Sequence, residues 1–165
     1  MFRAAVLTIS DKGFSGERAD GSGVLIAEIL KANGFIVERY EIVPDEKETI
    51  SQVLIEMCDV GQVDLVITTG GTGFSRRDVT PEATLDVIER HVPGIPEAMR
   101  SKSLEITPKA MLSRGVAGIR KGTLIVNMPG SPKAVAEYLD ILLPVLPHAL
   151  SILTGQAVEC ARPLL

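Results

Sequence analysis

Between Val63 and Thr84 the chain reads VDLVITTGGTGFSRRDVTPEAT. An apolar run stops at two threonines, and Gly70, Gly71 and Gly73 follow at once. Glycines lack the Cβ that would hold a ligand away from the backbone. Successive N–H groups in such a loop can form a concave anion site. Thr69 and Thr72 add hydroxyls, and Arg76 and Arg77 add guanidinium forks suited to phosphate oxygens. The loop is not a Walker loop, because no Gly-Lys-Ser/Thr follows, and it is not the dinucleotide G-x-G-x-x-G. An ordinary glycine turn with solvated arginines is the alternative. Asp45, in VPDE, and Asp78, after the two arginines, are the second clue. Two carboxylates beside a phosphate pocket repel phosphate unless a cation intervenes. Mg²⁺ resolves that conflict, because it takes one or two carboxylates plus phosphate oxygens and water. Taken singly, each aspartate also reads as a cap or loop residue. Together these parts point to transfer of a phosphorus-centred group from a nucleotide, with hydrolysis and the acceptor left open.

The elements that must position these groups alternate. Arg3–Ser10 is a nearly continuous apolar run, as in a strand buried on both faces. A glycine-rich polar loop follows, then a helix with Val24, Ile26, Ile29 and Leu30 inward and Gly34 as its stop. Phe35–Val43 reads as a second strand near an edge, because Glu38, Arg39 and Glu41 interrupt it. Ile50, Val53, Leu54 and Met57 have the spacing of an amphipathic helix closed by Gly61, and VDLVIT is a third strand. Strand–helix alternation predicts an α/β fold with a mostly parallel sheet and helices on both faces. Thr80-Pro81-Glu82 opens the next helix, with Thr80 as its cap. The chain is expected to be irregular through SKSLEITPKAMLSR and then to form a hairpin turning at Lys121-Gly122, adding one antiparallel strand. A last helix starts at Ser131-Pro132, and Pro144 and Pro147 kink or break it.

In an open α/β sheet the site lies at the carboxyl ends of the strands. Four polar segments converge there: Ser10-Asp11, Pro44-Asp45-Glu46, the glycine loop, and Asn127-Met128-Pro129-Gly130.

The 165 residues are read as one domain, 45% hydrophobic, with no Trp and hence an aliphatic core. A net charge of −4 speaks against a general nucleic-acid binder but not against a phosphorylated small molecule. Cys58 and Cys160 form no close pair, and His91 and His148 lie far from both, so zinc spacing is absent. No run reaches the roughly 18 apolar residues of a membrane span, and the N-terminus lacks signal-peptide character. A reduced, cytoplasmic protein is expected.

The stretch TTGGTGFSRRDVTPEAT closely resembles the signature of the molybdopterin adenylyltransferases, the Mog-type and MoaB family that includes the plant Cnx-type G domain and the gephyrin G domain. The likeness extends through PDE, SLEITPKAMLSR, AGIRKGTLIVNMPGSPKAVAE and LLPVLPHAL, roughly residues 3–155, with the 156–165 tail outside it. The resemblance implies a three-layer α/β/α fold, a homotrimer, and the reaction of ATP with the terminal phosphate of molybdopterin to give adenylyl-molybdopterin and pyrophosphate. It implies Mg²⁺ held by Asp45 and Asp78 with the ATP phosphates. It places Ser113 at the substrate pocket and Thr69, Gly70, Gly71, Thr72 and Gly73 around ligand phosphates. Asn127, Pro129 and Gly130 lie beside that loop, and Ser10 and Asp11 at the nucleotide end. Little rests on Ser131, where relatives also carry Asn or Gln. Hand-over of the product to a molybdenum-insertion enzyme follows from the same likeness. Three alternatives stand beside it: a molybdenum-insertion-type enzyme of the same fold, a non-catalytic molybdopterin-binding or scaffold paralogue, and a nucleotide-phosphate hydrolase.

Overall fold

The computed structural model describes residues 1–156; Cys160 and nearly all of the tail lie outside the described residues. Six strands form one sheet in the order β2-β1-β3-β6-β5-β4. They are β1 (Arg3–Ile9), β2 (Ile36–Val43), β3 (Leu65–Thr69), β4 (Arg90–His91), β5 (Ala117–Arg120) and β6 (Thr123–Met128). β2, β1, β3 and β6 are mutually parallel, and β5 runs antiparallel to both of its neighbours, β6 and β4.

The apolar runs of β1, β3 and β6 are continuous because both of their faces are covered. Ala4, Val6, Ile67 and Val126 point to one core with Ile26, Leu30, Met99, Leu139 and Leu146. These come from α2 (Gly21–Ala32), α5 (Gly94–Leu104), α6 (Pro132–Leu142) and α7 (Leu146–Leu153). Ala5, Leu7, Val66 and Ile125 point to the other core with Ile50, Leu54, Met57 and Ala83, carried by α3 (Lys47–Asp59) and α4 (Thr80–Val87). α1 (Asp11–Phe14) is one turn after β1. Strand pleating thus builds the three layers. No single helix among the described residues is long and apolar enough to cross a membrane.

Several expectations are corrected. Val24 is exposed, and Ser22 and Gly23 take the inward positions with Ile26 and Leu30. The segment after Arg100 is not irregular: α5 continues to Leu104, and Pro108–Leu112 forms a 3-10 helix. β4 has no sequence signal, since two residues carry no period. Thr80 is the first residue of α4 rather than its cap; its hydroxyl donates to the Gly70 carbonyl at 2.9 Å. Ser131 occupies the cap position of α6 without a side-chain capping bond. Pro144 falls in the break between α6 and α7, whereas Pro147 sits in the first turn of α7, where its missing N–H is harmless. The apolar stripe of α6 is core, with Val135, Tyr138, Leu139 and Leu142 all buried.

Arg120 anchors the hairpin by a fork onto Asp59 at 2.9 and 2.7 Å and donates to the Val87 carbonyl. Hydrogen bonds from Arg120 and then Lys121 hold the Asp59 carboxyl down at about 2. Because the folded value is depressed, this contribution is present above the ordinary 3.8 and is lost as pH falls towards 2. Asp59→Asn is therefore expected to lower the melting temperature at pH 7 and to leave it nearly unchanged at pH 2, as followed by circular dichroism.

Candidate functional site

The four parallel strands end at one rim. Thr8 pairs with Thr69, Thr69 with Met128, and Ile9 with Val43, so the segments after β1, β2, β3 and β6 emerge side by side. The chain order reverses between β1 and β3, where an open sheet parts to admit a ligand.

Two clefts flank this rim, each of about 440 Å³. The first is polar, walled by Ser10, Asp20, Asp45 and Thr69 with Arg18 at its edge. The second is more apolar, walled by Ala110, Leu112, Pro129 and Ala134, with Ser113, Thr72 and Lys109 among its polar groups. Gly70, Gly71, Asp78 and Gly130 line both and form the seam between them. Two molecules, one per cleft, would meet at this seam.

Gly70 and Gly71 hold the seam by conformations open to glycine. Gly70 has φ +95°, and a Cβ there would lie 2.3 Å from the Ile9 carbonyl oxygen; Gly71 has φ +65°, and its Cβ would lie 2.3 Å from Thr80 Oγ1. The Gly70 N–H donates to the Met128 carbonyl at 3.1 Å, tying the loop to the end of β6. The N–H groups of Gly71, Thr72 and Gly73 donate to no acceptor among the described residues, leaving donors for an anion.

Asp45 and Asp78 both line the polar cleft. Asp45 Oδ2 accepts from the Asp11 N–H at 2.9 Å, and the Asp45 N–H donates to Asp11 Oδ1 at 3.0 Å. Asp78 Oδ2 accepts from the Ser75 N–H at 3.1 Å. Each aspartate thus keeps one carboxylate oxygen outside these bonds. Burial raises the Asp45 carboxyl above the ordinary carboxylate range; the Asp11 N–H works against this, and the charges of Asp11 and Asp78 add to it. A cation would relieve that crowding. Among the described residues no cluster of three or more His, Cys, Asp or Glu gathers, so the pair alone cannot enclose a metal ion. A hard ion that completes its shell with ligand phosphates and water fits this donor set.

Ser10, Thr69 through Gly73, Ser113, Pro129 and Gly130 all line one or both clefts. Two expected contacts do not. Asn127 is 1% exposed and lines neither. Its Nδ2 donates to Thr68 Oγ1 and Thr84 Oγ1 at 3.0 and 2.9 Å, while its Oδ1 accepts from the Val116 N–H at 3.2 Å. It pins β3, α4 and the β5 approach together beneath the rim. Asn127→Ala would strand these partners in the core, at a cost of about 2–4 kcal/mol measurable by urea unfolding. Asp11 also lines neither cleft; Arg77 grips it at 3.0 and 2.8 Å and holds its carboxyl below the usual range. Arg77 is therefore a strut between the β1 and β3 loops rather than a free phosphate fork.

Sequence reasoning missed three contributors. Arg114 clamps the glycine loop: its Nε donates to the Gly73 carbonyl at 2.7 Å, its Nη2 to the Asp78 carbonyl at 2.6 Å, and its Nη1 pairs with Glu82. Its place beside Ser113 in AMLSR was the available signal. Asp20 caps α2 by accepting from the Gly23 N–H at 2.8 Å and also accepts from Thr8 and Tyr40. Burial works against its charge, but these bonds outweigh it and keep the carboxyl low, while burial and then Asp20 push the Tyr40 hydroxyl up to about 12. Arg18 stands at the polar cleft, with no ion pair among the described residues.

An open, mostly parallel sheet with a glycine seam between two clefts at its strand ends defines an α/β domain of the small-molecule-binding kind. The chain belongs to the family described as probable molybdopterin binding domain, whose model matches residues 5–148. It is 44% identical over 158 residues to the molybdopterin adenylyltransferase of Helicobacter pylori, covering 93% of this chain and 89% of that protein. It is 43% identical over 161 residues to gephyrin of Dictyostelium discoideum, covering 92% of this chain but 22% of gephyrin. The crystal structure of the molybdopterin biosynthesis enzyme MoaB from Thermus thermophilus matches with a TM-score of 0.90 and 53% sequence identity, covering 96% of this chain and all of that one. The expected three-layer fold and the resemblance read from the glycine stretch both hold.

Proposed function

We propose that this protein is a molybdopterin adenylyltransferase of molybdenum cofactor biosynthesis, transferring AMP from ATP to the terminal phosphate of molybdopterin and releasing pyrophosphate. The observation that carries the proposal is the shared seam. A polar cleft with Asp45 and an apolar cleft with Ser113 meet at Gly70, Gly71, Asp78 and Gly130. The names of the adenylyltransferase relatives support the same reading.

In this reading ATP lies in the polar cleft and molybdopterin in the apolar one, with its phosphate at the seam. The terminal phosphate oxygen attacks the α-phosphorus in line, and the bond to pyrophosphate breaks. Such transfer depends on positioning and charge neutralisation. The free N–H groups of Gly71, Thr72 and Gly73 orient phosphate oxygens, and Arg114 fixes their loop. Asp45 and Asp78 would hold Mg²⁺, which supplies positive charge to the phosphates when bound. Asp11, through its paired bonds with Asp45 and Arg77, fixes the Asp45 carboxylate. Ser10 caps α1, accepting from the Gly13 N–H, and shapes the polar wall. A cytoplasmic homotrimer that hands its product to a molybdenum-insertion enzyme completes the proposal.

Pyrophosphate release tests it. Release with ATP, Mg²⁺ and molybdopterin together, and none without molybdopterin, is expected. Release without the pterin would make the protein a hydrolase instead.

A further inference from the structure

The polar cleft is short of positive charge. Among the described residues that line it, Asp20, Asp45 and Asp78 carry carboxylates, and Arg18 alone carries a cation. Arg18 is exposed, and its guanidinium enters no ion pair among the described residues. The arginines around the glycine loop are committed elsewhere: Arg77 to Asp11, and Arg114 to Glu82 and the carbonyls of Gly73 and Asp78. An anionic ligand in this cleft therefore meets one free fork of N–H donors, a geometry suited to phosphate oxygens.

The loop that carries Arg18 is held at both ends. The Arg18 N–H donates to the Lys12 carbonyl at 3.1 Å, closing the loop over α1. Two residues on, Asp20 accepts from Thr8 and Tyr40 and caps α2. Thr8 pairs with Thr69, the residue before Gly70. The backbone around Arg18 is thus fixed relative to the seam through β1. Arg18 and Ala19 line the polar cleft and not the apolar one, so this wall lies on the side away from the second substrate.

In an in-line displacement the attacking and leaving oxygens lie on opposite sides of the phosphorus. The attacking phosphate enters across the seam from the apolar cleft. Its oxygen forms a bond to the α-phosphorus, and the bond from that phosphorus to the oxygen bridging to the β-phosphorus breaks. The bridging oxygen keeps the bonding pair and departs as part of pyrophosphate. The leaving group must therefore point away from the seam and into the polar cleft. Negative charge developing there finds Arg18 as the one cationic side chain among the described lining residues.

We propose that Arg18 holds the β- and γ-phosphates of the nucleotide and receives the pyrophosphate they become, and so selects a triphosphate donor over shorter nucleotides. This role rests on the polar cleft being the ATP side, as in the proposed function.

Arg18→Gln removes the charge and tests it. Binding is followed by calorimetric titration with Mg²⁺ present and molybdopterin absent, so that no transfer occurs. ATP and pyrophosphate are each expected to bind about 10-fold more weakly, while AMP, which lacks the leaving group, binds with unchanged affinity. In turnover with molybdopterin, kcat is expected to fall by a similar factor with KM for molybdopterin unchanged. Arg18→Lys keeps the charge without the fork and is expected to recover part of the loss. The melting temperature of both variants is expected to stay level, because Arg18 is exposed and pairs with no carboxylate among the described residues. Unchanged affinity of Arg18→Gln for ATP and pyrophosphate overturns the inference and leaves adenylyl transfer standing. Equal weakening of AMP and ATP also overturns it, because Arg18 would then serve the nucleoside, the α-phosphate or the fold. Failure of the unmodified protein to bind ATP overturns both this inference and the reading on which it rests.

Discussion

Asp45→Asn is expected to lower adenylyl transfer by about 10²–10³-fold, because it removes one charge from the pair assigned to the cation, a contribution of several kcal/mol. The same substitution is expected to stabilise the metal-free protein, raising its melting temperature at pH 7. Burial and the charges of Asp11 and Asp78 hold the Asp45 carboxyl above its ordinary value. The fold therefore binds a proton there more readily than the unfolded chain does. By linkage, this group's contribution to stability is fullest at acid pH and is lost as pH rises from the ordinary 3.8 through the raised folded value. An Asn oxygen can still accept from the Asp11 N–H while shedding the charge. The stability gain should accordingly vanish at low pH and shrink when Mg²⁺ is added to the unmodified protein. Calorimetric scans across pH, with and without Mg²⁺, measure both effects. A variant that loses activity and stability together would mark Asp45 as a structural residue.

Gly70→Ala is expected to have the second large effect. The new Cβ would lie 2.3 Å from the Ile9 carbonyl oxygen in a backbone conformation of φ +95°. Since the obstructing atom is backbone, no side-chain rotation relieves the clash, and β1 and the loop must separate. A loss of about 2–4 kcal/mol in stability is expected, with loss of binding in both clefts. Gly122→Ala in the hairpin turn is the control. A Cβ there meets nothing within 4 Å, so urea midpoints should be nearly unchanged. Equal stability of the two variants would contradict the role given to the seam.

Much of this architecture was legible because its signals are periodic. The continuous apolar run of Arg3–Ile9 announces a strand covered on both faces, the segments flanking Lys121-Gly122 announce the hairpin, and charges at Glu38, Arg39 and Glu41 announce the edge strand. Parallel strands must end at one rim, so the convergence of Ser10, Asp45, the glycine loop and Pro129 followed from topology alone. What escaped was the destination of individual polar groups. Asn127 and Arg77 have side chains suited to ligands, yet Asn127 bonds Thr68, Thr84 and Val116, and Arg77 bonds Asp11. Those partners are distant in sequence, and no local pattern encodes them. Arg114 was overlooked for the opposite reason, since its partners are the carbonyls of Gly73 and Asp78, which every residue type possesses. The extension of α5 to Leu104 was hidden by a polar segment of weak amphipathic period.

In the proposed reaction two substrates react across the Gly70–Gly71 seam. A single-turnover mixing experiment tests it most directly: purified protein, freshly released molybdopterin, Mg²⁺ and ATP labelled at the α-phosphorus, with the products separated by chromatography. Label is expected in adenylyl-molybdopterin, matched one-to-one by pyrophosphate. Tight binding of molybdopterin with all label remaining in ATP would contradict the proposed reaction and leave the protein a pterin-binding scaffold.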